Sequence, residues 1–328
     1  MRFIFILLFL FIAGRTFSQS LTEDKPIPAD SAIVYYKKIL QKDKQSTFAN
    51  YGLASVYFEK REFKLAEFYA RENIRKENEY RLQCWIIYAA SLDRQTRIAD
   101  AIIEFEKALK FYPTDYPLLY QYAFSCYKYR EFEKALAATE KAIQAEPLSI
   151  YAHKLYACIL FEKDNNGLCV HAILYSLMLD QDKQSALRSI QFINDFLAKK
   201  QVSINIPFFD DRLALENIDD VIRFYLSKRE NVVNSKNQLS EDLAQNVSTF
   251  IKEAAYEETN YIGYFYLKLI NEGLANAYSY YCLRFWNNEK VNLWLKDHST
   301  ELDMLASFLE KNMSESASNK TSTPTLKP

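Results

Sequence analysis

The sequence predicts an all-α protein built from antiparallel helix pairs, and three observations support this. Only 5 Gly and 8 Pro occur among 328 residues, which disfavours a turn-rich β-protein. Hydrophobic residues make up 49% of the chain, so it can bury a sizeable core. A small residue also recurs every 34 or 35 residues, each time opening a helix-like stretch. Such a period is typical of stacked helical repeats.

The first eighteen residues have the features of a signal peptide. Arg2 supplies a positive charge, and residues 3–13 form an unbroken apolar run. That run is shorter than the roughly 20 residues of a transmembrane helix and suits the apolar core of an export signal. We therefore expect export to a periplasmic or secreted location, with cleavage before Gln19 and a linker at 19–31. An uncleaved N-terminal anchor is the alternative, and no stable membrane span is expected in the mature chain.

The repeat begins after this linker and can be followed by three phased features. A small residue opens the second helix of each unit, at Ala32, Ala66, Ala101, Ala135 and Cys169. A large residue followed by Ala lies upstream of the last four, at Leu53-Ala54, Tyr88-Ala89, Tyr122-Ala123 and Tyr156-Ala157. Twelve residues after each small residue comes a helix stop or its substitute, at Lys44, Asn78, Pro113, Pro147 and Gln181. The phasing predicts a half unit followed by four units within residues 32–181.

This pattern resembles the tetratricopeptide repeat (TPR) family. The family has large residues near positions 4, 7, 11 and 24, small ones at 8, 20 and 27, and Pro at 32. The unit that starts at Leu82 matches best, with Trp85, Tyr88-Ala89, Leu92, Ala101, Phe105, Ala108 and Pro113. The resemblance implies a right-handed superhelix in which each unit contributes helices A and B. No single pair can bury its apolar face alone, so the units stack.

From Asp182 the period fades, although the pattern stays helical to residue 312. Helix-like stretches are found at Ala186 to Ala198, Leu215 to Lys228, Glu241 to Ala254, Tyr261 to Asn271, Leu274 to Trp286 and Lys290 to Leu295. A degenerate further TPR unit is predicted at 256–289, carried by Ile262-Gly263, Tyr266, Ala275 and Cys282. Residues 313–328 are polar and low in complexity, which predicts a disordered tail.

Residues that could perform chemistry are sparse, so we predict a protein that is not an enzyme and holds no cofactor or metal. Only three His occur, and no Walker, Rossmann, HExxH or GxSxG pattern is present. Cys169 and His171 are two positions apart and point to different sides of a helix. The adjacent carboxylates at 210–211 and 219–220 lack a partnering base. The near-neutral charge, 41 basic against 42 acidic residues, disfavours nucleic acid as a partner. The five cysteines are an odd number without CxxC pairing and are predicted to be mostly buried core residues.

The resemblance also implies a binding groove, because positions 2, 5, 9, 12 and 13 of the A helices line the concave face in TPR arrays. The groove residues so implied are Phe48, Tyr51, Phe58, Ile86, Tyr120, Phe124, Tyr127, Tyr151, Lys154 and Phe161. Some TPR proteins grip a terminal carboxylate from positions 5 and 9, where Lys154 is the only suitable residue here, so that clamp is not expected. An aromatic-lined groove favours a protein or peptide partner.

Several alternatives remain open from the sequence. Tyr and Phe faces also stack on sugar rings, so a carbohydrate-binding protein of the same compartment is the second prediction. The groove could instead be filled by the protein's own C-terminal helices, such as Leu274 to Trp286, or be mis-phased. An enzyme in the C-terminal half is a third class.

Overall fold

A computed structural model describes residues 28–163, 165–198, 239–253 and 261–318, and the regular structure in these ranges is helical. The predicted all-α class is confirmed. The fifteen helices are α1 Ala29–Lys42, α2 Thr47–Glu59, α3 Phe63–Ile74, α4 Arg81–Arg94, α5 Ile98–Leu109, α6 Tyr116–Lys128, α7 Phe132–Ala145, α8 Ile150–Glu162, α9 Asn166–Leu179, α10 Lys183–Leu197, α11 Leu243–Glu253, α12 Tyr261–Asn271, α13 Ala275–Cys282, α14 Glu289–Asp297 and α15 Ser299–Ser318. The predicted signal peptide, the stretch at 215–228 and the carboxylates at 210–211 and 219–220 lie outside the described residues.

The first nine helices form a TPR-type stack. Helix α1 is the second helix of a half unit, and α2/α3, α4/α5, α6/α7 and α8/α9 are four consecutive pairs. Each second helix also packs against the first helix of the following unit. Three first helices begin after a capping residue whose side chain accepts a hydrogen bond from a backbone N–H of the first turn. These capping residues are Ser46, Asp115 and Ser149. Such caps satisfy N–H groups that would otherwise lack a partner at the helix start.

The turn between the two helices of a unit repeats as well. Arg61, Thr96 and Arg130 adopt left-handed backbone, with φ of 61°, 64° and 64°. In each turn the next residue donates its N–H to a carbonyl five positions back, as in the 3.0 Å bond from Arg97 to Leu92. This bond closes the end of the first helix and reverses the chain. The period seen in the sequence is therefore present in the backbone.

The small residues that set the phase lie where helices cross. The first set, Ala54, Ala89, Ala123 and Ala157, is fully buried, and so is the second, Ala66, Ala101, Ala135 and Cys169. The large residues of the best unit, Trp85 and Phe105, are buried beside them. A small side chain at each crossing lets two backbones approach, and the large ones fill the remaining space. The burial of these residues is what the predicted phasing requires.

Both ends of the described chain differ from the sequence prediction. Helix α1 begins at Ala29, inside the predicted linker at 19–31. Helix α15 was not identified as a separate stretch of the region predicted to be helical to residue 312, and it runs to Ser318, six residues into the segment assigned to a disordered tail at 313–328. Its apolar residues Leu305, Phe308 and Leu309 are buried at helical spacing in the C-terminal core. That packing stabilises a helix whose end is too polar to be predicted from composition.

The C-terminal helices continue the stack by packing on α9. The hydroxyl of Tyr278 donates to the carbonyl of Leu174 at 3.0 Å, and that of Tyr266 donates to the carbonyl of His171 at 3.0 Å. Arg284 donates to the carbonyl of Asp180 at 2.6 Å, just beyond the last turn of α9. A cation at this end of a helix also interacts favourably with its dipole.

The degenerate unit predicted at 256–289 does not have the helix pairing of a TPR unit. Helix α13 lies closest to α11, whereas its contact with α12, its neighbour in the chain, is weaker. The residues that suggested the unit are nevertheless buried, since Ile262, Tyr266, Ala275 and Cys282 all face the C-terminal core. The repeat-like spacing of these residues therefore reflects their burial in the C-terminal core and not a TPR pairing of helices. In the ranges that the structure describes, no helix has the length and apolar content to cross a bilayer.

Candidate partner-binding site

The ten predicted groove residues divide into a buried and an accessible set. Five are buried, namely Phe58, Ile86, Tyr120, Phe124 and Lys154, with exposures between 5% and 7%. Four are half-buried, namely Tyr51, Tyr127, Tyr151 and Phe161, whereas Phe48 is 42% exposed. Half of the predicted groove residues therefore belong to the packed interior.

The buried rings are covered by neighbouring side chains of the array. The ring of Phe58 lies 5.4 Å from that of Phe63, and the ring of Tyr120 lies 6.0 Å from that of Tyr116. Phe58 and Tyr120 both belong to the core cluster whose buried residues lie between positions 53 and 159. Burial raises the pKa of Tyr120 well above its usual value, so its hydroxyl stays protonated. These rings stabilise the stack and do not present a surface to a partner.

Lys154 is held in a buried ion pair. Its Nζ lies 2.7 Å from the carboxylate of Asp180 and also donates to the hydroxyl of Ser185. Burial lowers the pKa of Lys154, and the negative charge of Asp180 opposes that shift. Lys154 thus connects α8 to the end of α9 and the start of α10, which agrees with the expectation that it forms no carboxylate clamp.

The C-terminal end of the predicted groove is covered by α10. The ring of Phe161 packs edge-on against Phe192 of α10 at 6.0 Å. The stretch from Leu274 to Trp286, which the sequence offered as a filler, packs instead against α9 through Tyr278 and Arg284. Self-covering therefore occurs at this end, and α10 provides it.

A charged cluster lies in the middle of the array. The buried Asp93 accepts from Arg94 at 2.9 Å and from Lys128 on the next unit. The Nζ of Lys128 also lies 5.1 Å from the centre of the Phe124 ring. Lys128 is partly exposed, whereas the carboxylate of Asp93 is buried. Asp93, Arg94 and Lys128 occupy positions 12 and 13 of their units but were not among the predicted groove residues.

The most exposed residue of the predicted groove, Phe48, lies at its N-terminal end. There Phe48 and Tyr51 join Tyr36 of α1 and Tyr80 of the loop before α4, and we call these four residues the N-terminal aromatic cluster. Tyr51 and Tyr80 stack at 4.8 Å with planes 11° apart, and Phe48 meets Tyr36 edge-on at 5.4 Å. Tyr36 and Tyr80 were missed, because neither occupies a groove position of the family pattern.

The close packing of this cluster requires a glycine at position 52. The ring of Tyr36 lies directly on Gly52, where a Cβ atom would overlap it. Burial and neighbouring tyrosines raise the pKa of Tyr36, and burial raises that of Tyr80. Both hydroxyls are therefore neutral donors at physiological pH. The cluster offers apolar ring faces beside hydroxyl groups that can form hydrogen bonds.

Most of the described histidines and cysteines, the residue types that could perform chemistry, are buried. His153 and His171 are buried, and burial lowers the pKa of each to about 4. All five cysteines are buried and free, and burial raises the pKa of Cys84 and Cys282 to about 12, which keeps these thiols protonated. The described parts of the chain contain no group of three side chains placed to bind a metal ion.

The fold and pairing described above define a TPR-type helical repeat protein. No family model matches the chain, and no curated protein matches it. Among solved structures it is similar to MamA, at 19% identity and a TM-score of 0.43, over 46% of this chain and 88% of MamA. It is also similar to YrrB, described as a TPR protein with an unusual peptide-binding site, at 18% identity and a TM-score of 0.42, over 49% of this chain and 82% of YrrB. A third structure is the C-terminal part of a TPR repeat-containing protein from Cytophaga hutchinsonii, at 13% identity and a TM-score of 0.44, over 80% of this chain and 93% of that one.

Proposed function

We propose that this chain is an exported, non-enzymatic TPR-type scaffold that binds a protein or peptide segment at the N-terminal aromatic cluster. The observation that carries the proposal is the exposure of Phe48 within this cluster, since the other predicted groove residues are half-buried or buried. Export rests on the signal-peptide features of residues 1–18.

The cluster has the properties of a peptide-binding surface. Aromatic side chains contribute large contact areas and dominate the energetics of most protein interfaces. The 42% exposed ring of Phe48 offers an apolar contact, and the protonated hydroxyls around it can bond a peptide backbone. Tyr51 and Tyr80 already cover one face of each other by stacking, which leaves less ring surface for a sugar.

The proposal can be tested by crosslinking with a photoreactive residue at Phe48 of the full-length protein in its own cells. The matched control carries the same residue at Leu293, which is 55% exposed on α14. We expect a partner to be captured from position 48 and not from position 293. Replacing Tyr51 and Tyr80 with Ala should reduce that capture about tenfold or more, which corresponds to 1.4 kcal/mol of binding free energy.

Equal capture from both positions, or capture that survives the double substitution, would reject the cluster as the binding site. Binding to a glycan array that is lost in the same double variant would replace the proposal with carbohydrate binding. Fractionation of cells expressing the full chain tests export separately, and retention in the cytoplasm would contradict it.

A further inference from the structure

A second exposed surface runs along the solvent-facing side of the second helices. Val34 of α1, Phe68 of α3 and Ile103 of α5 are 53%, 49% and 50% exposed. They occupy the same position in three successive units, 34 and 35 residues apart. Leu65, one turn before Phe68, is 39% exposed, and we call these four residues the outer stripe. Exposed apolar side chains that recur at one position of successive units are candidates for an interaction surface.

The carboxylates of the helices that carry the outer stripe are already paired with basic residues. Each acidic residue of α1, α3 and α5 pairs with a basic residue. These pairs are Asp30–Lys60, Glu67–Arg97, Glu72–Arg75, Asp100–Arg97, Glu104–Lys107 and Glu106–Lys134. The negative charges of these helices therefore contribute little free potential at the stripe.

The basic residues beside the stripe differ in this respect. Lys38 lies one turn after Val34, and Lys64 and Arg71 lie one turn before and after Phe68. All three are exposed, and within the described ranges none of them has a carboxylate partner. The outer stripe is thus bordered by positive charge that the protein does not itself neutralise.

We propose that the outer stripe binds an acidic amphipathic segment of a partner protein. Apolar side chains of that segment would cover Val34, Phe68 and Ile103, while its carboxylates pair with Lys38, Lys64 and Arg71. Such a segment would complement both the apolar residues of the outer stripe and the basic residues beside it. Charge complementarity of this kind sets specificity and speeds association. A row across three helices fits an elongated segment.

The surface is separate from the site of the proposed function. The stripe uses the outer side of the second helices, whereas Phe48 and Tyr51 lie on a first helix. The substitutions that test the two surfaces are therefore different, and failure of one proposal leaves the other intact.

The test uses a photoreactive residue at Phe68 of the full-length protein, followed by mass spectrometry of the crosslinked peptides. We expect crosslinks within an acidic amphipathic segment of another protein, with a yield that falls as salt is raised. Lys38→Glu with Arg71→Glu should reduce the yield about tenfold or more. The control reversal, Lys252→Glu with Lys296→Glu, should leave it unchanged, as should Tyr51→Ala with Tyr80→Ala.

Four results would overturn the inference, provided that the variants unfold at the wild-type temperature. These are crosslinks to a second copy of this chain, crosslinks to a segment without acidic residues, no crosslinks at all, and a yield that survives the charge reversal at Lys38 and Arg71. Co-sedimentation with vesicles of phosphatidylserine and phosphatidylcholine, lost in Phe68→Asp, would assign the stripe to a membrane surface instead.

Discussion

Thr96 adopts a backbone conformation that the turn of the repeat requires but that is energetically unfavourable for threonine. It holds left-handed backbone at φ 64° in the turn between α4 and α5. A β-branched side chain is strongly disfavoured there, because its Cβ approaches the following carbonyl. The conformation is kept because it allows the N–H of Arg97 to close the end of α4. Tertiary structure therefore overrides local preference at this position.

Thr96→Gly should stabilise the protein by about 0.5–1 kcal/mol, because glycine adopts this backbone without strain although it loses more entropy on folding. Thermal or denaturant unfolding measures the change. The matched control is Lys110→Gly, placed where φ is −68° and glycine relieves no strain. Destabilisation by both substitutions would show that the turn at Thr96 carries no strain.

The exposure of individual groove residues was the least predictable property at this scale. Phe48 and Phe58 belong to the same helix and were assigned to the same surface, yet only Phe48 is exposed. The difference comes from Phe63 of the next helix, which covers Phe58. A position in a repeat indicates a direction from the helix axis, whereas exposure depends on the size of neighbouring side chains.

At the scale of the helix, each unit depends on close crossing between its two members. Ala101 of α5 has no exposed surface and lies at the crossing with α4. Ala137 of α7 is exposed on the outer side of its helix. Since both are helical alanines, they separate the effect of packing from that of helix propensity.

Ala101→Leu should destabilise the protein by about 1–3 kcal/mol, because three extra carbon atoms force the two helices apart. Ala137→Leu should change the unfolding free energy by less than about 0.5 kcal/mol. Denaturant unfolding of the two variants checks the difference. Equal destabilisation would mean that the crossing has room for a larger residue and that the phasing is incorrectly assigned.

The helices without a regular period obey a different constraint. Helix α15 lies largely in the region predicted to be helical, but it was not identified as a separate stretch, although its buried residues recur at helical spacing. Helices α11 to α15 bury residues against one another and against α9, so their sequences need only present an apolar side. Each contact is specific to one pair, and no period arises to reveal it.

At the scale of the whole molecule, α8 joins two cores. Leu155 and Ile159 belong to the core of the array, whereas Tyr156 and Leu160 belong to the C-terminal core. The second core also contains His171, which packs against Phe250 of α11 and Tyr266 of α12 at 4.8 Å each. The junction between the array and the C-terminal helices therefore contains a titratable group.

Acid should weaken this junction. Burial lowers the pKa of His171 to about 4, below its unfolded value near 6.5, so the unfolded state binds the proton more readily. The stabilisation is fully present above pH 6.5 and is lost as the pH falls towards 4. Two and a half pKa units correspond to at most about 3 kcal/mol. His171→Phe should therefore lose less unfolding free energy than the wild type between pH 7 and pH 4.5.

The control for this comparison is Tyr266→Phe, which alters the same contact but keeps the imidazole. It should retain the pH dependence of the wild type. The hypothesis is wrong if His171→Phe and the wild type show the same dependence in denaturant unfolding at both pH values.

The sequence by itself determined the helical class, the period of the repeat and the small residues expected at each helix crossing. These properties are local or nearly so, because a small residue at a fixed spacing dictates where two neighbouring helices meet. Only the tertiary structure decided which aromatic residues remain exposed, that Tyr36 and Tyr80 join Phe48 and Tyr51, and that α10 covers Phe161. Exposure results from contacts between helices distant in the chain, and a pattern within one unit does not contain that information.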